Sequence, residues 1–145
     1  MNWRIVAVDK LKDYGAKKAS ITNLSEEIRD LKYRRRAIRS ATGDASPVQG
    51  GGSKREDMLL NTIVLQREME ENLISAEGWL KRVERGLAEL TADERTILSR
   101  FYIHPEKGAA DRLAMDMGVD VKTVYHRKDI ALRKFAIAMC GCAES

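Results

Sequence analysis

Leu90-Thr-Ala-Asp-Glu-Arg-Thr-Ile-Leu-Ser-Arg-Phe-Tyr-Ile103, followed by Asp111-Arg-Leu-Ala-Met-Asp-Met-Gly-Val-Asp-Val-Lys-Thr-Val-Tyr-His-Arg-Lys-Asp-Ile-Ala-Leu-Arg-Lys-Phe135, reads as three consecutive short helices. Thr91-Ala-Asp-Glu94 has capping-box spacing: the Thr hydroxyl accepts from the amide three residues on, and the Glu carboxylate reaches back. A helix therefore starts near Ala92, with Ile97, Leu98 and Phe101 as its apolar face and Pro105 and Gly108 ending it. A second helix spans about Ala109 to Met117, with Leu113, Ala114 and Met117 inward. Gly118 suits a left-handed turn, Val119 fills the space beneath it, and Asp120 caps the third helix. The last two helices are thus in helix-turn-helix register, which serves chiefly to place one helix in the DNA major groove.

On a helical wheel the third helix turns Val121, Val124, Ala131 and Phe135 inward and Lys122, His126, Asp129 and Arg133 outward, with Thr123 and Tyr125 at the flanks. Lys122 and His126 are donors suited to guanine acceptors, and Thr123 offers a hydroxyl or a methyl. Arg133 and Lys134 lie later, where phosphates are the better match. Arg127 falls at the core boundary, its stem packed and its guanidinium emerging. The candidate DNA-binding set is Lys122, Thr123, Tyr125, His126, Arg127, Arg133 and Lys134. Bland readings stand beside these: His126 as a solvated side chain, Tyr125 as a lid on the core edge. Between 120 and 135, Lys122, Arg127, Lys128, Arg133 and Lys134 oppose Asp120 and Asp129, a local surplus that carries most of the chain's net charge of +4.

Upstream, Ile21, Leu24, Ile28, Leu31, Arg35 and Ile38 recur at alternating spacings of three and four. Leu59, Thr62, Gln66, Met69, Leu73, Ala76, Leu80, Val83, Leu87 and Leu90 do the same. Such spacing is a coiled-coil seam. The Gly/Pro/Ser-rich stretch 41–54 reads as a flexible linker between the two helices, which most simply fold back as an antiparallel hairpin over residues 1–90. A helix-turn-helix domain over 91–140 and a short tail at 141–145 complete the expected all-α architecture. Arg35, Thr62 and Gln66 interrupt the seam, and Ile63, Leu65 and Ile74 extend its apolar surface, which raises self-association through the hairpin as a hypothesis. Arg29-Asp-Leu-Lys-Tyr-Arg-Arg-Arg-Ala-Ile-Arg39 is strongly basic. It reads as a solvated face or as a second contact to phosphates.

The 145 residues are 33% charged and only 6% aromatic, a composition for solvated helices rather than one large core. No apolar run is long enough for a membrane span. The N-terminus is too short and too charged for a secretory signal, so a cytoplasmic location is expected. Cys140 and Cys142 read as reduced thiols near the end. With only His104 and His126 elsewhere, no metal site and no cofactor are expected. Gly50-Gly-Gly-Ser-Lys54 lacks the strand and spacing of a phosphate loop, and no nucleophile–histidine set or paired carboxylates stand out. An enzyme is not expected.

The block from Leu90 to Phe135 resembles region 4 of bacterial sigma factors. The similarity rests on Leu90-Thr-x-x-Glu-Arg95, Leu113-Ala114, Gly118-Val119, Val124 and Ala131-Leu-Arg-Lys-Phe135. Arg127 stands where region 4 usually has an apolar residue, and Val121 where it often has a basic one. With Pro47-Val-Gln-Gly-Gly51 between its halves, the chain is similar to small phage and prophage transcriptional regulators of the ArpU and RinA type. The resemblance implies sequence-specific binding of double-stranded DNA at promoters, and contact with RNA polymerase as a further partner. Two alternatives remain: a DNA-packaging component akin to a small terminase subunit, and a helical interaction protein that binds no DNA.

Overall fold

A computed structural model describes residues 2–43 and 51–143. The protein is all-α, and no strand occurs among the described residues. Two long helices come first, α1 (Trp3–Gly43) and α2 (Gly51–Ala88). Then follow α3 (Ala92–Leu98), a π-helical turn (Ser99–Ile103), α4 (Ala109–Met117) and α5 (Val121–Cys140). No helix among the described residues is long and apolar enough to cross a membrane. Of the stretch 41–54 expected as a linker, residues 41–43 belong to α1 and residues 51–54 to α2. A helix's first turn has amides with no intrahelical acceptor in any case, so glycines cost least there. The rest of that stretch lies outside the described residues.

Contacts divide the chain into two compact units, and not at the expected boundary near residue 90. One unit joins Met1–Lys18 to Gly78–Ser145; the other is Ala19–Glu77. The reason for the first grouping is a shared core. Trp3, Ala7 and Leu11 of α1 are buried in one cluster with Val83, Leu90, Leu98, Ala131, Leu132, Phe135 and Ala136. Each fully buried large side chain contributes about 1.5–3 kcal/mol. Gly86 lets the helices approach closely at this packing: a Cβ there would lie 2.7 Å from the Met139 sulfur and 3.1 Å from a Phe135 ring carbon, so either side chain would have to shift. In this unit α1 and α2 run antiparallel, since Tyr14 donates to Glu84 at 3.0 Å and Lys17 stands over Trp79. Residues 141–143 join this unit's core. Gly141 ends α5 at φ +80°, and Ala143 is buried in the same cluster.

A smaller cluster in the first unit holds Ile97, Leu113, Ala114 and Val124, ringed by Phe101, Met117, Val119 and Val121. The π-helical turn serves both clusters. Its widened bonding, with the His104 amide donating to the Ser99 carbonyl at 2.7 Å, faces Phe101 to the small cluster and Tyr102 and Ile103 to the large one.

In the second unit the burial follows the seam. Ile28, Leu31 and Ile38 of α1 and Thr62, Gln66 and Ala76 of α2 are buried. The polar seam residues are partly satisfied: Thr62 donates to the Met58 carbonyl at 2.7 Å, and Arg35 donates to Gln66 Oε1 at 3.0 Å. Gln66 passes its own amide to Glu70 at 2.9 Å.

Candidate nucleic-acid interface

Helix α5 is fixed at its start by two local devices. Gly118, at φ +66°, closes α4, and the Val119 amide donates to the Ala114 carbonyl at 3.1 Å. Only glycine enters this left-handed region without steric cost. Asp120 then accepts from the Thr123 amide at 2.8 Å. Hydrogen bonds from that residue hold the Asp120 carboxyl below its ordinary pKa, so it is charged at the positive end of α5. At the other end of the support, the Thr91–Glu94 capping box is complete: the Glu94 amide donates to the Thr91 hydroxyl at 3.2 Å, and the Thr91 amide to Glu94 Oε1 at 3.1 Å.

Inward, Val124, Ala131, Leu132, Phe135 and Ala136 are buried. Outward, Lys122, His126 and Arg133 share one exposed face, and none of the three has an ion-pair partner among the described residues. Between and beyond them on that face stand Ile130 and Ile137, 42% and 44% exposed. The sequence reading did not single out these two isoleucines. Their spacing of four and seven from His126 and Ile130 was the available signal.

The other candidates are dispersed around the helix. Thr123 is half-buried beside the cap. Tyr125 is exposed but leans on Phe101, ring centres 5.9 Å apart. Lys128 stands 4.9 Å from the Phe101 and Tyr125 rings and 5.9 Å from Tyr102, so its charge is held in an aromatic setting. Arg127 is exposed on the opposite flank, in a shallow concavity with Thr91, Glu94, Ile130 and Lys134. An apolar residue is not demanded at that position. Lys134 is engaged there: its ammonium lies 3.0 Å from Glu94 Oε1. It joins α5 to α3 as well as offering charge to solvent.

Asp129, the one acid on the outward side, is partnered from an unexpected quarter. Arg4 of α1 reaches it at 3.3 Å and also lies over the Trp3 ring. The N-terminal turn thus offsets the acid beside Lys122 and Arg133. Trp3, Ala7 and Leu11 recur at intervals of four, which marks an apolar face at the start of α1 but not its partner, so the sequence carried no signal for this contact. A larger open groove of about 670 Å³ between α2 and α5 is lined by Arg82, Arg85, Lys134 and Ile137 among others, and extends cationic surface along the helix.

Cys140 and Cys142 are free thiols, and no metal-ligand group of three or more His, Cys, Asp or Glu occurs among the described residues. In chemical terms the surface offers hydrogen-bond donors and positive charge on a rigid helix. Comparison of the chain with protein-family models, curated proteins and solved structures finds no match.

Proposed function

We propose that the protein binds double-stranded DNA in a sequence-specific manner through α5, as a phage-type regulator of transcription acting at promoters. The observation that carries this reading is the exposed, unpaired set Lys122, His126 and Arg133 on one side of a helix whose start is fixed by Gly118 and Asp120. In this reading α4 and α5 act as a helix-turn-helix, and the hairpin of α1 and α2 is its scaffold. Lys122 and His126, in the first two turns of α5, meet base edges. Arg133 and Arg127 meet phosphates, and Thr123 and Tyr125 border the contact. Lys134 sets the position of α5 through Glu94. RNA polymerase is the protein partner proposed from the resemblance to sigma region 4. The reading places the protein in the cytoplasm and assigns it no catalytic step.

Selection of bound duplexes from a random DNA pool tests the proposal. A recovered base motif supports it. Recovery of no duplex at any salt concentration removes it, because neutralisation of phosphates alone would give measurable low-salt binding.

A further inference from the structure

Helix α2 carries a second stripe on the side turned away from its buried seam. Within the second unit, Leu60, Val64 and Ile74 are 59%, 56% and 70% exposed. Arg67 and Glu71 lie between them, both exposed and without an ion-pair partner among the described residues. The five positions 60, 64, 67, 71 and 74 alternate spacings of four and three. The stripe lies about 150° around the helix from the buried seam of Leu59, Thr62, Gln66, Met69, Leu73 and Ala76. Isolated apolar residues on a surface need no explanation, but a stripe in coiled-coil register is not isolated.

We infer that this stripe is the contact between two copies of the chain, packed antiparallel about a two-fold axis level with Met69. The order of charges selects the partner and the direction. In an antiparallel pair centred there, Arg67 of each copy meets Glu71 of the other, and Val64 meets Ile74. Each side then presents to its mate what the mate presents in return, as an isologous interface requires. A parallel pair would set Arg67 against Arg67 and Glu71 against Glu71, and like charges face to face are strongly disfavoured. About this axis the paired positions run only from Val64 to Ile74, about 15 Å, and Leu60 lies beyond them. The interface is therefore small, and the association is reversible and weakened by salt.

The inference is independent of what α5 binds. Joined to the DNA reading, a two-fold pair calls for a site with two-fold symmetry.

The test is sedimentation equilibrium of the full chain across micromolar to submillimolar concentrations, with circular dichroism to check that each variant is folded. The wild-type chain is expected to show a monomer–dimer equilibrium. Arg67→Glu alone and Glu71→Arg alone each convert two attractions into two repulsions and should weaken the dimer about tenfold or more. The double variant Arg67→Glu/Glu71→Arg should restore it. An equimolar mixture of the two single variants should form a heterodimer tighter than either variant's own dimer. A wild-type chain that stays monomeric throughout, single swaps that leave association unchanged, a double swap that fails to restore it, or an assembly larger than two would each overturn the proposal.

Discussion

Helix α5 and the basic stretch of α1, Arg29–Arg39, both present arginine and lysine to solvent, yet their neighbours treat the charges differently. On α5 the surrounding chain neutralises the competing acid and immobilises the helix. Arg4 takes Asp129, Asp120 is used as a cap, and five buried residues hold the far side. On α1 one cation of the set is drawn into the seam. Arg35 donates to Gln66, and its Nε is buried without a hydrogen-bond partner. Lys32, Arg36 and Arg39 border the same shallow concavity, which also includes Gln66. Similar charge counts thus support different chemistry. In the DNA-binding reading proposed above, a helix held on a compact core is suited to distinguishing bases, whereas a row of long side chains along one helix face is suited to phosphates without regard to sequence.

The largest effect should come from the support of α5. Phe135 is fully buried and touches the Gly86 crossing. Phe135→Ala should cost about 3–5 kcal/mol of stability in denaturant unfolding and remove DNA binding with it. A destabilised variant that kept its DNA binding under folding conditions would show that the core does not govern the face.

Next in size is the contrast between the two surfaces themselves. Lys122→Ala should lose about 1–3 kcal/mol of binding and relax one position of the recovered site. Arg36→Ala should weaken all duplexes alike and reduce the salt slope by about one. If both substitutions relaxed the same kind of specificity, or neither did, the distinction drawn between the helices would fail. Direct titration against matched and mismatched duplexes at two salt concentrations reads both effects.

The half-buried Arg35 gives the third comparison. Gln66→Leu removes the acceptor from Arg35 and should cost about 1–3 kcal/mol in thermal or denaturant unfolding. Adding Arg35→Leu should recover much of that loss, because replacing both members of a buried polar pair by apolar groups is often neutral or stabilising. Substitution of Lys122, His126 or Arg133 should not behave this way, since among the described residues none of the three has a partner to abandon.

These expectations also mark what the amino-acid order made legible. Local devices were readable because each is a short-range geometric requirement: the Thr91–Glu94 box, the left-handed Gly118, the Asp120 cap, and the seam that buries Thr62 and Gln66 along with Ile28 and Leu31. Long-range pairing was not. Nothing in the spacing of Trp3, Ala7 and Leu11 says that their partner is Phe135 rather than the remainder of a hairpin, so the grouping of residues 1–18 with 78–145 could not be read from it. Charge counting failed for a related reason. It gives Lys122, Lys128 and Lys134 equal weight, while the fold sets Lys128 over aromatic rings and Lys134 against Glu94. The widened turn at Ser99–Ile103 has no residue signature of its own.

Arg4 supplies a smaller and more pointed test. Its ion pair with Asp129 is half-exposed on both sides, so Arg4→Ala should change stability by only about 0–1 kcal/mol. Its effect on DNA binding should exceed its effect on folding, because Asp129 is then left uncompensated beside Lys122 and Arg133. Asp129→Asn in the same background should restore binding. Equal losses in binding and stability would mean that Arg4 acts only through packing.

The smallest expected effect lies at the junction of α3 and α5 and has a definite sign in pH. Burial pushes the Glu94 carboxyl up, but the Thr91 amide, the Lys134 ammonium and the remaining Thr91 contact outweigh it, and the net pKa is below the ordinary value. A carboxyl with a depressed folded pKa binds its proton less readily when folded than when unfolded. Its stabilising contribution is therefore complete above the unfolded glutamate value near 4.3 and is lost as pH falls through the lower folded one. Glu94→Gln should flatten stability over that acid window relative to the wild type, in urea melts taken at successive pH values. Lys134→Met should flatten it only in part, because the capping interactions with Thr91 persist. On the α1 stretch, Arg36→Met should leave the same window unchanged. A full loss of the pH dependence in Lys134→Met would instead place the origin of the shift in the ion pair alone and make the capping box a bystander.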